Sequence, residues 1–198
     1  MRLLSIDART TGRDRAALAE LIESAEVDVA CVQHGPHLLR WRSISAALGR
    51  RSGLVVVTGG RTAGANLVLS TLGVAVLATA EVRAAGARPW RPAGAALAAL
   101  ELRDLRFVLV SASLTGPVTT RTAQAQQIVE AIRGLIPEQL PSVIAAAGVA
   151  PDTAAWRLLS AGREAVAGRV FVDPRLGVGE THEDSGGAFP PLVVSLGG

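Results

Sequence analysis

The stretch VDVACVQHGP (residues 27–36) decides the predicted fold. Its first six residues are mostly apolar and predict a buried β-strand. Gln33 and His34 follow at the point where a parallel strand delivers side chains to the edge of a sheet, which is where open α/β sheets bind ligands. A glycine and a proline then end the strand. The stretch therefore predicts a strand that carries two polar side chains into a candidate site.

The segments on either side of this strand predict a layered α/β domain. MRLLSI (residues 1–6) has the apolar pattern of a first strand. RDRAALAELIESA (residues 13–25) has apolar residues at helical spacing, and LLRWRSISAALGRR (residues 38–51) predicts a second helix that ends near Gly49. The order strand, helix, strand, helix is typical of an α/β fold.

The middle of the chain predicts antiparallel hairpins, because strand-like runs follow one another without helices. These runs span residues 53–59, 65–71, 73–83, 94–103 and 106–114, with a tight link in the Leu105 region. A long amphipathic helix is predicted over residues 120–136, closed by Pro137 and Pro141.

The last part of the chain alternates again between strands and a helix. Buried strands are predicted over residues 142–150, 169–173 and 192–196. Residues 152–162 predict a helix with Asp152 as its N-cap. The polar, glycine-rich stretch 177–189 predicts a mobile loop.

Composition narrows the class of protein. Hydrophobic residues make up 49% of the 198 residues and aromatics only 3%, so a core of Ala, Val and Leu is expected. All 20 basic residues are arginine, which is typical of a GC-rich genome, and the net charge of +3 is scattered along the chain. Nucleic-acid binding is therefore permitted but not indicated.

The single Cys31 excludes an internal disulfide and predicts a packed thiol. With no basic-then-apolar leader and no apolar run of ~20 residues, a cytoplasmic protein without a membrane span is expected.

Six phrases in a fixed order resemble one family. They are MRLLSIDAR at the start, VDVACVQHGP, GANLVLS (residues 64–70), TRTAQAQQI with Arg121 and Gln124, AWRLL (residues 155–159), and AFPPLVVSLGG at the end. Together they resemble the endonuclease/exonuclease/phosphatase superfamily of Mg²⁺-dependent phosphodiesterases and phosphomonoesterases. The resemblance implies one domain over residues 1–198, folded as a four-layer α/β/β/α sandwich.

The resemblance also implies pocket positions, and most of the catalytic ones are changed. The pocket positions are Asp7, Gln33, His34, Asn66 and Ser113. Gln33 and Asn66 match the family pattern. Asp7 stands where the family has asparagine, His34 where it has the main Mg²⁺-binding glutamate, and Ser113 where it has histidine. The Asp and Asn of a Gly-Asp-x-Asn motif fall near Ala147 and Val149, and the general-base Asp-His pair falls on Pro191 and Leu192.

These changes leave two hypotheses. In the first, the fold is kept for binding or for a structural interaction without hydrolysis and without a cofactor, since Mg²⁺ needs hard oxygen ligands and the attacking water needs a base. In the second, the chain is a phosphoesterase or nuclease with an altered site at Asp7 and His34, with Asp152, His182 or His37 contributing, and uses Mg²⁺, Mn²⁺ or Zn²⁺. We favour the first, in which His34 is a remnant. The expected partner is a protein or a phosphate-containing ligand, and an unpaired edge strand allows self-association.

Three further patterns each leave an alternative open. GETHEDS (residues 179–185) is either an acidic solvated loop or a metal or substrate loop, and the general base moves to Asp184 if the alignment of the tail shifts. Four arginines lie on the predicted second helix: Arg40, Arg42, Arg50 and Arg51, with Trp41 between the first two. They are either a solvated face or contacts to nucleic-acid phosphates. Trp90, in a proline-rich loop, is either a partner contact or a packed residue. Ser111 and Ser113 lack a nucleophile elbow.

Overall fold

A computed structural model describes residues 1–12, 14–88, 90–183 and 190–197. Its strands are β1 Arg2–Asp7, β2 Val29–Gln33, β3 Val55–Gly60, β4 Asn66–Ser70, β5 Ala75–Arg83, β6 Gly94–Leu102, β7 Leu105–Ser113, β8 Ser142–Ala147, β9 Glu164–Val166, β10 Val170–Val172, β11 Val178–Glu183 and β12 Leu192–Leu196. Its helices are α1 Arg15–Ser24, α2 Trp41–Arg51, α3 Val118–Leu135 and α4 Ala154–Ser160, and a 3-10 turn spans Pro174–Leu176.

The strands form two six-stranded mixed sheets. The first sheet has the order β11-β12-β1-β2-β4-β3, and the second has the order β5-β6-β7-β8-β10-β9. Each sheet contains one central parallel pair, β1 with β2 and β7 with β8, while the other pairings are antiparallel. The carboxyl ends of the parallel strands therefore mark one edge of each sheet as the place where a site can form.

Three hydrophobic layers hold the sheets and helices together. The inner faces of the two sheets pack on each other through residues such as Leu3, Val29 and Phe107. The outer face of the first sheet packs on α1 and α2 through Leu18 and Leu48, among others. The outer face of the second sheet packs on α3 and α4. This arrangement is the predicted α/β/β/α sandwich, and the prediction is confirmed.

Alanine fills much of the second sheet, as the composition predicted. Strand β6 is buried on both of its faces over Gly94–Leu100, a segment with the sequence GAALAAL. The larger side chains of this sheet come from other strands, above all Phe107 of β7 and Phe171 of β10, which are fully buried. Trp156 of α4 stands edge-on to Phe171 with ring centroids 5.9 Å apart, a geometry that aromatic pairs favour.

The structure corrects several predicted boundaries. The cap of α4 is Thr153 and not Asp152, because the Thr153 hydroxyl accepts the backbone N–H of Trp156 at 3.2 Å. Asp152 instead takes a left-handed conformation with φ of 64° in the preceding turn. Helix α2 runs on to Arg51, and Arg40 lies before it as the N-cap residue. Strand β9 was missed, since three residues are too short for a periodic signal.

The polar stretch near the end of the chain is a strand where it is described. Val178–Glu183 forms β11 and pairs with β12, so the predicted loop over residues 177–189 was wrong for that part. The strand was missed because its side chains are almost all exposed and show no apolar alternation. Residues 184–189, including Asp184, lie outside the described residues. No helix in the described parts of the chain is long and apolar enough to cross a membrane.

Gly64 is the point of closest backbone approach between the two sheets near the site. It has φ of +64°, and a Cβ added there would lie 2.2 Å from the carbonyl carbon of Ala93, just before β6. A Cβ at that distance forces the backbone apart, so only glycine fits this contact. Gly53 makes a useful comparison, since its φ of +71° is similar but its Cβ would meet nothing within 4 Å.

Gly64→Ala is expected to destabilise the protein by about 3 kcal/mol or more, because it adds overpacking to the cost of a left-handed alanine. Gly53→Ala is expected to cost only about 1 kcal/mol, which is the backbone term alone. Urea denaturation of both variants and the parent chain measures the two free energies. Equal losses in the two variants would contradict the close contact at Gly64.

Candidate functional site

The pairing of β1 with β2 builds the centre of the site. The two strands are parallel with Asp7 opposite Gln33 in the register, so both strands end at the same level. His34, the next residue, has φ of 51°. In this conformation the chain turns away from the strand direction, and the His34 Nδ1 atom comes within 3.1 Å of Asp7 Oδ2. The structure thus brings the two predicted residues together.

Arg9 is the main partner of Asp7. Its Nε lies 3.0 Å from Asp7 Oδ1 and its Nη2 lies 2.5 Å from Oδ2, which is a two-pronged ion pair. The backbone N–H of Arg9 donates to Oδ1 as well, at 3.0 Å. The Asp7 side chain is only 5% exposed, whereas that of Arg9 is 48% exposed. Arg9 therefore covers a buried carboxylate from the solvent side.

These contacts set the charge of the cluster. Burial by itself would raise the pKa of Asp7, but the hydrogen bonds from His34 and Arg9 outweigh it and hold the pKa well below its ordinary value. Asp7 is consequently ionised at every physiological pH, and both of its carboxylate oxygens are committed to nitrogen donors of this chain.

Gln33 is buried between the sheets and does not reach the surface. Its amide nitrogen faces the Ser111 hydroxyl and the backbone oxygen of Ala145, both at 3.5 Å, in the opposite sheet. The Ser111 hydroxyl donates back to Val32 O at 3.3 Å. These contacts join β2 to the second sheet, so the part Gln33 plays is structural.

The Asn66 amide nitrogen makes a second group of buried polar contacts near the site. Its amide nitrogen donates to the backbone oxygens of Ala63 at 2.7 Å and Gly94 at 3.0 Å, and it lies 3.1 Å from the Ser113 hydroxyl. The Ser113 hydroxyl in turn donates to Gly64 O at 3.3 Å. Asn66 and Ser113 are both fully buried, and they fasten the edge of β4 to β6 and β7.

A groove lies over the Asp7 cluster at the carboxyl ends of β1 and β2. It has a volume of about 610 Å³. Its walls are the segments after β1 and β2, together with the loop that precedes β6; we call it the His34 groove. Its lining includes Arg9, Arg15, His34, His37, Leu39, Trp90, Arg91 and Thr115. Trp90 is 71% exposed, so it is not packed into the core; a partner contact there stays a prediction.

Solved structures share this architecture over the whole chain. A humanised TDP2 from D. rerio with 14 mutations superimposes with a TM-score of 0.79 at 13% identity, covering 100% of this chain and 99% of that one. An endonuclease/exonuclease/phosphatase from Bacteroides vulgatus gives a TM-score of 0.75 at 12% identity, with 98% and 97% covered. This chain has the endonuclease/exonuclease/phosphatase fold. The human Nocturnin catalytic domain, with a bound sulfate anion, is also similar, with a TM-score of 0.74 at 12% identity over 99% and 94% of the two chains. No protein-family model and no curated protein matches the chain.

The endonuclease/exonuclease/phosphatase fold implies a divalent metal, and the donor set found here does not fit Mg²⁺. Mg²⁺ requires oxygen ligands in near-octahedral geometry, but Arg9 and His34 already occupy the carboxylate of Asp7. In the part of the chain that the structure describes, no group of three or more His, Cys, Asp or Glu residues is placed to hold a metal ion. His37 Nδ1 lies 3.0 Å from Gly35 O, and His182 lies on β11 beside Val193 of β12. A metal at Asp7 and His34 stays a prediction.

The positions to which the sequence resemblance assigns the Gly-Asp-x-Asn motif and the Asp-His pair carry hydrocarbon side chains. Ala147 ends β8 opposite Ser113, and Val149 packs against the core beneath α3 and α4. Leu192 is buried and pairs with Ser5 of β1, immediately beside the Asp7 strand. None of these side chains can accept or donate a proton.

Sequence reasoning missed Arg9 and Arg91. The signal for Arg9 was the spacing Asp-x-Arg at the end of a strand, where a turn brings the guanidinium back onto the carboxylate. Arg91 follows Trp90 in a loop whose path no periodicity predicts. Of the arginines on either side of Trp41, Arg42 stacks over the Trp41 ring at 4.6 Å and Arg40 lines a groove in the outer helical layer.

Asn66→Ala is expected to lower the free energy of unfolding by about 2–3 kcal/mol, because it leaves buried carbonyl oxygens without a donor. Asn66→Asp keeps the shape but replaces the donor by an acceptor, so it is expected to destabilise at least as much. Chemical denaturation measures both. Two variants as stable as the parent would show that Asn66 does not fasten the sheets.

Asp7→Asn is expected to destabilise the protein at pH 7 by about 1–3 kcal/mol, the usual worth of hydrogen bonds to a charged group. Since the folded-state pKa of Asp7 is lowered, its stabilising contribution is complete above its ordinary pKa and is lost as the pH falls toward the lowered value. The gap in unfolding free energy between parent and variant is therefore expected to shrink from about pH 5 to about pH 2. Urea titrations across this range measure the gap, and a gap independent of pH would contradict the assignment.

Proposed function

We propose that this chain is a binding protein on an endonuclease/exonuclease/phosphatase fold, one that holds a phosphate-containing ligand in the His34 groove without metal-dependent hydrolysis. The ligand is recognised by arginine side chains in place of a metal ion. The proposal has three supports: the ion pair at Asp7, the hydrocarbon side chains at the positions for chemistry, and the cations around the groove.

The ion pair between Arg9 and Asp7 carries the proposal. In a metal-dependent phosphoesterase a divalent cation neutralises the charge that develops on the phosphoryl group. Here a guanidinium group lies on the carboxylate at the carboxyl end of β1, with its Nη2 2.5 Å from Asp7 Oδ2. The cation at this position is thus the Arg9 side chain and not a bound metal ion. It offers hydrogen bonds and charge, but no site to activate a water molecule.

The residues beside this cluster support the loss of hydrolysis. A general base within hydrogen-bond reach of the attacking water contributes typically ~10²–10⁴-fold to such reactions. The resemblance places that base at Pro191 and Leu192, and Leu192 is a buried aliphatic residue. His34 has its Nδ1 3.1 Å from Asp7 Oδ2, so Nε2 is the one ring nitrogen of His34 left to take a proton from a water molecule.

The groove itself suits an anion attached to an apolar or aromatic group. Arg15 and Arg91 bring guanidinium groups to its lining, and such groups pair well with phosphate oxygens. Arg9 also lines the groove but is paired with Asp7. Trp90 offers an exposed ring to a planar or apolar group. The human Nocturnin domain, whose structure holds a sulfate anion, is a protein of this fold that binds a phosphate-like ion.

The test measures turnover and binding on the same protein. Bis-p-nitrophenyl phosphate is incubated with Mg²⁺, Mn²⁺ and Zn²⁺ in turn, using the parent chain and the double variant Asp7→Asn/His34→Gln. We expect no metal-dependent turnover above that of the variant. Turnover that the double variant abolishes would overturn the proposal in favour of a phosphoesterase with an altered site at Asp7 and His34.

Binding is measured by calorimetry with phenyl phosphate in the presence of EDTA. We expect the parent chain to bind it and Arg91→Ala to weaken the affinity by about tenfold, the effect of losing one charge-assisted hydrogen bond. Arg50→Ala, an exposed arginine outside the groove, is the matched control and should leave the affinity unchanged. Absence of binding, or an equal loss in both variants, would contradict a phosphate site in the His34 groove.

A further inference from the structure

A second concave surface lies on the outer helical layer. Between α1 and α2 the chain leaves a groove of about 550 Å³, which we call the α1–α2 groove. Leu18 and Leu48 form its buried floor, and Leu39, Ile44 and Ala47 line its sides. It adjoins the His34 groove and shares with it Arg15, Leu18, Pro36, Leu39 and Ile44, but His34 itself does not line it.

Two exposed leucines lie at or beside this groove, and a bound partner would bury their apolar surface. Leu39, which lines the α1–α2 groove, is 88% exposed. Leu38, beside it in the loop before α2, is 67% exposed and lines the adjoining His34 groove. Single exposed leucines are ordinary, but here two lie in sequence next to an apolar concavity. Covering them removes apolar surface from water, which is the main driving force for most protein association.

The rim of the α1–α2 groove is positively charged. Arg15, Arg40 and Arg51 line it, and none of the three forms an ion pair with a carboxylate of the described residues. The N-terminal end of α2 adds to this potential, since its first turn holds no acidic residue and its cap makes no side-chain hydrogen bond. The groove therefore combines an apolar floor with three available guanidinium groups.

From this combination we infer that the α1–α2 groove docks an acidic, amphipathic helical segment of a partner protein. Leucine-like side chains of the segment fill the floor, while its Asp and Glu residues pair with Arg15, Arg40 and Arg51. This is the helix-in-groove mode of recognition, in which side chains at helical spacing act as anchors. Charge complementarity at the rim selects the acidic partner.

Two other anionic partners fit the surface less well. Single-stranded nucleic acid binds through stacking of bases on aromatic rings, and none of the described residues that line this groove is aromatic. An anionic membrane favours a convex apolar face that enters the headgroup layer, whereas here the apolar residues line a concavity. Both remain as measurable outcomes of the experiment.

The experiment uses a fluorescein-labelled peptide of roughly four helical turns, with Glu on one face and Leu on the other. Anisotropy measures its affinity for the full chain against a scrambled peptide of the same composition. We expect the amphipathic peptide to bind about tenfold more tightly than the scrambled one, because only it presents a continuous apolar face. Equal affinities would reduce the interaction to non-specific charge and overturn the inference.

Variants locate the binding surface. Arg40→Glu/Arg51→Glu is expected to weaken the affinity by more than about tenfold, since like charges at an interface repel. Arg50→Glu/Arg133→Glu makes the same change in net charge with exposed arginines outside the groove, and should have a much smaller effect. Leu39→Ser is expected to weaken binding with an unchanged salt dependence. Thermal melts confirm that all variants are folded.

Two competing probes complete the test. A thymidine oligonucleotide of similar charge and vesicles containing phosphatidylserine are measured on the same proteins. If either binds more tightly than the amphipathic peptide and loses affinity in Arg40→Glu/Arg51→Glu, the partner is nucleic acid or membrane and the inference is wrong. A loss of peptide affinity confined to the groove variants, with weaker binding of both probes, supports it.

Discussion

The amide of Asn66 is the contact on which the site depends. When two sheets pack only through aliphatic side chains, their position relative to each other is weakly fixed, because apolar contacts are not directional. The Asn66 nitrogen supplies direction by donating to backbone oxygens on both sides of the interface, at Ala63 and Gly94. The backbone contact at Gly64 and the Ser113 hydroxyl complete the junction. The carboxyl ends of β1 and β2 are thereby held beside those of β7 and β8.

The same junction gives several of the predicted pocket residues a structural part. Gln33, Asn66 and Ser113 are buried and satisfy main-chain oxygens, so the fold needs them whether or not a phosphate is cleaved. Asp7 and His34 differ from them, since their partners lie at the groove. The Asp7 carboxylate pairs with the Arg9 guanidinium and contacts His34, so its charge is balanced within the chain. At this edge of the sandwich, the residues that join the two sheets are therefore different from those that face the groove.

How far the sequence predicts this molecule depends on how local each signal is. The four layers follow from apolar periodicity and from the six ordered phrases, and the meeting of Asp7 with His34 follows from two parallel strands that end together. The Arg9 pairing depends on a turn after the strand, and the Trp90–Arg91 wall depends on a loop, neither of which has a period. Strand β11 escaped because pairing with β12, and not burial of its own side chains, makes it a strand.

The alanine-filled strand β6 constrains how this protein changes. Its side chains face packed layers on both sides, so a larger residue there has no solvent to turn into and must displace a helix or the facing sheet. Mutational drift is therefore cheapest in the loops at the sandwich edge, where the grooves lie. New recognition surfaces can therefore arise in the loops at the grooves while the sequence of strand β6 stays nearly fixed.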